Sequence, residues 1–128
     1  MKSRYALGLT LLTGVAIGAF AMHGLHAQSK PPVYQVSLID VKDADGYVKN
    51  YAPKVRDAIK SGGGRVIAVS MKVTPVEGDA PKSRVAIAQW DSVEKFEAYR
   101  NTAAFKEARK TGDQYATFTA FLVEGLSP

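Results

Sequence analysis

Cysteine is absent from this sequence of 128 residues, and histidine occurs only twice, at His23 and His26. Without cysteine the chain has no disulfide, no thiolate ligand for zinc and no cysteine nucleophile. Both histidines lie in the first 27 residues, so the remainder also lacks the imidazole of a Ser-His pair or of a histidine-ligated haem. We therefore expect a domain without a metal or a cofactor, stabilised by its hydrophobic core.

A concentration of charge of one sign is also missing. The chain has 17 Lys and Arg against 12 Asp and Glu, and the two kinds are interspersed, as in Lys42-Asp43 and Glu94-Lys95. A nucleic-acid-binding surface needs basic residues clustered on one face, because each one neutralises a phosphate. The distribution predicts a solvated surface of mixed charge and no nucleic-acid partner.

The first 27 residues have the three parts of a secretory signal peptide. Lys2 and Arg4 supply the positive start, residues 6–22 form an uncharged apolar run, and Leu25-His26-Ala27 offers a cleavage site after Ala27. The alternative is a membrane anchor, but this run contains three glycines and is at the short end of the roughly 17–25 residues that span a bilayer. The sequence predicts a periplasmic or secreted protein with no membrane attachment after cleavage.

Apolar periodicity predicts the elements of the remaining chain, which follow a short proline-containing linker at 28–32. Alternation with a period of two indicates strands, and apolar residues three and four apart indicate helices. The predicted order is a strand over 33–41, a helix over about 44–61 bent at Pro53, a hairpin of strands over 65–74 and 83–91, a helix after Asp91-Ser92 that is interrupted at Asn101-Thr102, a short helix over 103–110, and a strand over 115–124.

This order, β-α-β-β-α-β, predicts a ferredoxin-like α+β fold with a four-stranded antiparallel sheet and its helices on one face. Several strands carry apolar residues on both sides; in the strand over 83–91, Val85 and Ile87 alternate with Ala86 and Ala88. A monomer would leave one of these faces in water. We therefore expect a homodimer that forms through the sheet face.

Short motifs along this part of the chain indicate a family. The chain resembles the domain of unknown function 1330 family, and an exported subgroup of it, over essentially all of residues 33–128. The motifs are Asp40-Val41, Tyr47 and Tyr51, Gly63-Gly64-Arg65, Glu77-Gly78, Trp90-Asp91-Ser92-Val93, Arg100-Asn101 and Phe121-Leu122-Val123-Glu124-Gly125. The resemblance implies membership of the dimeric α+β barrel superfamily, and with it the homodimer.

The resemblance also implies a small-molecule pocket between helices and sheet, since related barrels include cofactor-independent oxygenases, haem-degrading enzymes and isomerases. Asp40, a carboxylate at a strand end, is the best candidate for an acid or base, and Tyr51, Trp90 and Arg109 are candidate ligand contacts. Each also has a purely structural interpretation: Asp40 as a surface or capping acid, Tyr51 and Trp90 as core aromatics, and Arg109 as a solvated helix residue. We expect an exported ligand-binding module with catalysis unproven; the alternatives are a cofactor-independent oxygenase or isomerase and a purely structural or partner-binding envelope dimer.

Overall fold

The computed structural model describes residues 30–70, 72–81 and 84–127. The predicted signal peptide lies outside these residues. The strands are β1 (Val33–Val41), β2 (Arg65–Ser70), β3 (Arg84–Trp90) and β4 (Ala116–Glu124), and the helices are α1 (Ala44–Gly46), α2 (Ala52–Ser61), α3 (Val93–Arg100) and α4 (Ala103–Gly112). A π-helical turn (Tyr47–Tyr51) joins α1 to α2.

The four strands form one antiparallel sheet in the order β2-β3-β1-β4. β1 and β3 are central and pair from Val33 opposite Trp90 to Ile39 opposite Arg84, whereas β2 has a bulge between Val66 and Ala68. The helices pack on a single face of this sheet, the face to which the buried odd-numbered residues of β1 point. The predicted ferredoxin-like α+β fold is confirmed.

Side-chain oxygens cap the helices close to where the sequence predicted their starts. Asp43 accepts a hydrogen bond from the backbone N–H of Gly46, at 3.1 Å, and Ser92 accepts one from Lys95, also at 3.1 Å. Thr102 accepts one from Phe105 at 3.2 Å, so the predicted interruption at Asn101-Thr102 is a true helix boundary. These oxygens satisfy backbone donors that have no partner within the helix.

The predicted strand over 65–74 is shorter in the structure and ends at Ser70. The Ser70 hydroxyl accepts a hydrogen bond from the backbone N–H of Lys72 at 3.1 Å, which turns the chain out of the ladder before Pro75. A local side-chain bond of this kind competes with strand pairing. None of the helices in the described part of the chain has the length and apolar character needed to cross a membrane.

Candidate functional site

A cavity of about 120 Å³ lies between the sheet and the helices. Its lining comes from all four strands, the π-helical turn, α2, α3 and α4. A buried water needs roughly 10–15 Å³ of such space. The cavity is therefore large enough for an organic molecule of roughly ten non-hydrogen atoms, on the same scale.

Two polar residues of β1 lie on the sheet side of the cavity. Gln35 and Ser37 are buried, and both point toward the helices. The indole Nε1–H of Trp90 donates to Gln35 Oε1 at 3.1 Å, and Gln35 Nε2 donates to Ser37 Oγ at 3.3 Å. Trp90, Gln35 and Ser37 thus form a hydrogen-bonded chain, which we call the Trp90 relay, from the packed core to the cavity wall.

The π-helical turn places two tyrosines in the wall. Tyr47 and Tyr51 are four residues apart, which brings them to one face of a widened turn, and their ring centroids lie 5.0 Å apart. The turn ends next to Pro53, which lacks an N–H and would clash with the preceding turn of a regular α-helix. In the π-helical turn the Ala52 N–H donates to the Tyr47 carbonyl, and this wider turn avoids the clash. The predicted bend at Pro53 is therefore taken up by a π-helical turn, a feature often found at functional sites.

Arg109 of α4 reaches the cavity across the aromatic rings around it. Its guanidinium carbon lies 4.0 Å from the ring centroid of Phe118 and 5.2 Å from that of Phe105. The charge of the guanidinium also acts on Tyr51, where it opposes the rise in pKa that burial causes. Its Nε atom is buried and makes no hydrogen bond to any described residue. Arg109 is thus held in place by ring contacts and retains an unused donor.

Close packing at the end of α4 fixes the position of the Tyr51 ring. Gly112 is buried, and a Cβ atom added there would lie 2.5 Å from Tyr51 Cδ1 and 3.0 Å from Phe118 Cζ. A side chain at position 112 would therefore displace these rings. The absence of a side chain lets α4 pack closely against the rings of Tyr51 and Phe118 in the cavity wall.

The charge of the lining is positive. Arg56, Arg84 and Arg109 are among the lining residues, and no Asp or Glu of the described chain is. The guanidinium of Arg84 lies 4.9 Å from the Tyr47 ring centroid. In a partly enclosed site of low dielectric, such charges act more strongly than on an open surface.

Burial keeps the tyrosines of the site protonated. Removal from water raises the pKa of Tyr51 to about 12, against a smaller opposing effect of the Arg109 charge. The same desolvation raises the pKa of Tyr47 and of Tyr99. At neutral pH these hydroxyls can donate hydrogen bonds, and none of them is a phenolate base.

We expect this burial to make the protein unstable in alkali. The pKa of Tyr51 is about 12 in the folded state, whereas the unfolded chain releases this proton near pH 10. The contribution of the protonated Tyr51 to the stability of the folded state is therefore complete below pH 10 and is lost as the pH rises through 12. Between these two values, each increase of one in pH lowers the free energy of unfolding by about 1.4 kcal/mol.

Urea unfolding across this pH range, followed beside the absorbance of tyrosinate, measures the effect. Tyr51→Phe should make the free energy of unfolding less dependent on pH between 10 and 12. Titration of all tyrosines near pH 10 in a protein that stays folded would contradict the prediction.

The structure brings together two of the four residues that the sequence indicated. Tyr51 and Arg109 both line the cavity, whereas Trp90 is in the packed core and reaches it only through Gln35. Asp40 is half-buried and lies on the opposite face of the sheet, because side chains alternate along β1 and its odd-numbered residues face the helices. A role for any of the four in binding or catalysis stays a prediction.

Sequence reasoning missed Gln35, Ser37, Tyr47 and Arg84 as members of the site. Alternation along β1 assigns the polar pair to the solvent side of a half-buried strand, since buried strand positions are usually apolar. The sequence did give one indication: the face of β1 opposite Gln35 and Ser37 carries apolar residues such as Val36, so the strand is not a simple alternation of a buried face and a solvent face. Both faces of β1 therefore had to be considered for burial.

No group of three or more metal-ligating side chains occurs in the described ranges 30–70, 72–81 and 84–127. The donors around the cavity are guanidinium, phenol, amide and hydroxyl groups. These groups suit an organic ligand with acceptor oxygens better than they suit a cation.

The fold and the site define an α+β domain of ferredoxin-like topology with a cavity under its helices that is lined by polar and apolar side chains. The chain belongs to the family described as domain of unknown function (DUF1330), whose model matches residues 32–126. Among curated proteins, none matches the chain.

Solved structures support the same fold. A protein of unknown function from Rhodopseudomonas palustris superposes with a TM-score of 0.64 at 17% identity, over 84% of this chain and 93% of that one. SnoaB, a cofactor-independent oxygenase from Streptomyces nogalater, superposes with a TM-score of 0.58 at 17% identity, over 77% of this chain and 96% of that one. A dimeric protein of unknown function with a ferredoxin-like fold from Bacteroides fragilis superposes with a TM-score of 0.51 at 14% identity, over 73% of this chain and 96% of that one. At these identities the likeness concerns the fold.

Proposed function

We propose that this protein is an exported homodimer that binds a small organic molecule in the cavity of each protomer. The observation that carries the proposal is the pair Gln35 and Ser37, polar side chains at core positions of the central strand that line the cavity. Burying a polar group is costly unless its hydrogen bonds are made. A core selected only for stability would have apolar residues at these two positions.

The proposal includes no reaction. General acid-base catalysis needs a group that can exchange a proton near neutral pH. The cavity has no carboxylate or imidazole among its lining residues in the described chain, and desolvation raises the pKa of Tyr47 and Tyr51. The resemblance in fold to the oxygenase SnoaB does not supply a catalytic group.

The homodimer is supported by the outer face of the sheet, the face opposite the helices. In β4, Phe121 and Val123 point to this face and are 48% and 47% exposed. They continue an apolar surface formed by alternate residues of the central strands, including Val36 and Ile87. An apolar surface of this extent is typical of a contact between protein subunits. One of the solved structures of this fold is a dimeric protein.

Filling the cavity tests the proposal without assuming the identity of the ligand. Ala86 lines the cavity, whereas Ala88, two residues further along β3, lies in the packed core with Trp90. Ala86→Leu should leave the free energy of unfolding unchanged or raise it, because the added methyl groups enter open space. Ala88→Leu should lower it by about 1–3 kcal/mol through overpacking.

Native mass spectrometry of protein purified from its own host then reports on binding. The wild type and Ala88→Leu should retain the same additional mass of a small molecule, and Ala86→Leu should not. If Ala86→Leu is as destabilising as Ala88→Leu and no variant carries an additional mass, the cavity is not a binding site.

A further inference from the structure

We propose that the cavity selects an organic anion, with its charged oxygens at the buried end beside Ser37 and Arg109 and an apolar body that extends to a mouth beside β2. This inference rests on the proposed function, since it concerns the ligand of the same cavity. It follows from the direction of the hydrogen bonds, from the charge of the lining and from the distribution of exposed side chains around it.

The Trp90 relay determines which hydrogen-bonding groups face the cavity. An indole N–H can only donate, so the amide oxygen of Gln35 must face Trp90 and its NH₂ group must face Ser37. Ser37 Oγ accepts from that amide at 3.3 Å. The Ser37 hydroxyl proton is then directed away from Gln35, and Ser37 lines the cavity. The relay therefore presents a donor to the cavity.

The other polar groups at this end are donors as well. Arg109 Nε is buried and makes no hydrogen bond to a described residue, and its guanidinium is held against the Phe118 ring. The Tyr51 hydroxyl is protonated. Buried donors without acceptors are costly, and a ligand oxygen that accepts from several of them at once offsets this cost. A carboxylate has two such oxygens and accepts strong hydrogen bonds from charged donors.

Charge favours the same class of ligand. No carboxylate belongs to the described lining, so with a neutral ligand no negative charge would lie in the cavity opposite Arg109. Arg56 is exposed on α2 and also belongs to the lining. A cation near the opening attracts an approaching anion and raises its rate of association.

The apolar part of the ligand follows from the exposed lining. Val66 and Val69 of β2 line the cavity and yet are 40% and 51% exposed, whereas Ser37 and Tyr51 are 9% and 4% exposed. The cavity thus has its polar groups Ser37 and Tyr51 at the buried end, and at its mouth the apolar side chains of β2 in addition to Arg56. A ligand that matches both ends carries its charge inward and its hydrocarbon part outward. With the size of the cavity, this describes an aryl carboxylate with a single ring.

Benzoate, benzamide and benzylamine test this selectivity, since they share the ring and differ in charge. Isothermal titration of the full domain should show benzoate binding at least about tenfold more tightly than benzamide, and no binding of benzylamine. Arg109→Met, which retains the packing of the stem, should weaken benzoate by about tenfold or more and leave benzamide unchanged. Arg109→Lys should recover part of the loss.

Arg100→Met is the matched control, because Arg100 also stacks on Phe105, at 4.7 Å, but does not line the cavity. It should bind benzoate like the wild type. If benzamide or benzylamine binds as tightly as benzoate, the anion assignment is overturned and the proposed function stands. If no probe binds and Ala86→Leu is as destabilising as Ala88→Leu, the anion assignment and the proposed function are both overturned.

Discussion

Replacing Trp90 with alanine is expected to lower the free energy of unfolding by about 3–5 kcal/mol, a large share of the total stability of a small domain. The indole is 1% exposed and packs against Tyr99, with ring centroids 4.6 Å apart, and against Phe96 at 5.6 Å. The backbone fits the ring closely, since a Cβ on Gly64 would lie 2.7 Å from Trp90 Cη2. Neighbouring side chains cannot collapse fully into the space that alanine would leave.

Trp90→Phe separates packing from hydrogen bonding. It keeps an aromatic ring but removes the N–H, so the buried oxygen of Gln35 loses its donor, which costs about 1–3 kcal/mol. Adding Gln35→Met to Trp90→Phe should recover part of that loss, because the buried amide oxygen that lost its donor is then removed. Urea unfolding of Trp90→Ala, Trp90→Phe and the double variant measures these values. A Trp90→Ala variant that loses less than about 1 kcal/mol would show that the core tolerates this cavity.

The second large effect concerns the subunit contact. Val123→Asp on the outer face should weaken the proposed homodimer by about 100-fold or more, since a dimer through this face would bury the new carboxylate without a partner. In the single protomer Val123 is already 47% exposed, so the substitution should leave the fold of that protomer intact. Sedimentation velocity at several concentrations measures the change in association, and circular dichroism verifies the fold.

Val48→Asp is the matched control for that experiment. Val48 is 53% exposed in the protomer, close to the value for Val123, but it lies in the π-helical turn on the helix side of the sheet. This variant should dimerise like the wild type. Equal association of both variants, or a wild type that is a monomer at all concentrations, would contradict dimerisation through the sheet face.

Sequence patterns were sufficient for the fold because local rules and tertiary structure agree over most of the chain. Ser92 and Thr102 cap helices, and apolar periodicity separates strands from helices. The order of elements then allows few topologies. The two-sided strands predicted a second covered face, and Val36 and Phe121 do lie together on the sheet face that the helices leave uncovered.

The candidate site was less predictable, because membership of a cavity depends on which face of a strand is covered. Asp40 and Ser37 belong to the same strand, but Asp40 is three positions after Ser37, and an odd offset puts the two side chains on opposite faces. Tyr34, Val36 and Leu38 occupy even-numbered positions of β1, and polar residues occupy two odd ones that are buried. A pattern that normally indicates the solvent side here marks the cavity wall, as polar residues at core positions often do in functional sites.

The sequence by itself determined the order of the elements, the cysteine-free domain, and the family to which residues 32–126 belong. These properties depend on residue types and on spacings of two to four residues, which act locally. Only the tertiary structure decided that Ser37, Tyr51 and Arg109 share a cavity. They come from a strand, a π-helical turn and the last helix, and their contact depends on how α4 packs across the sheet. That packing is a sum of long-range contacts that no local spacing encodes.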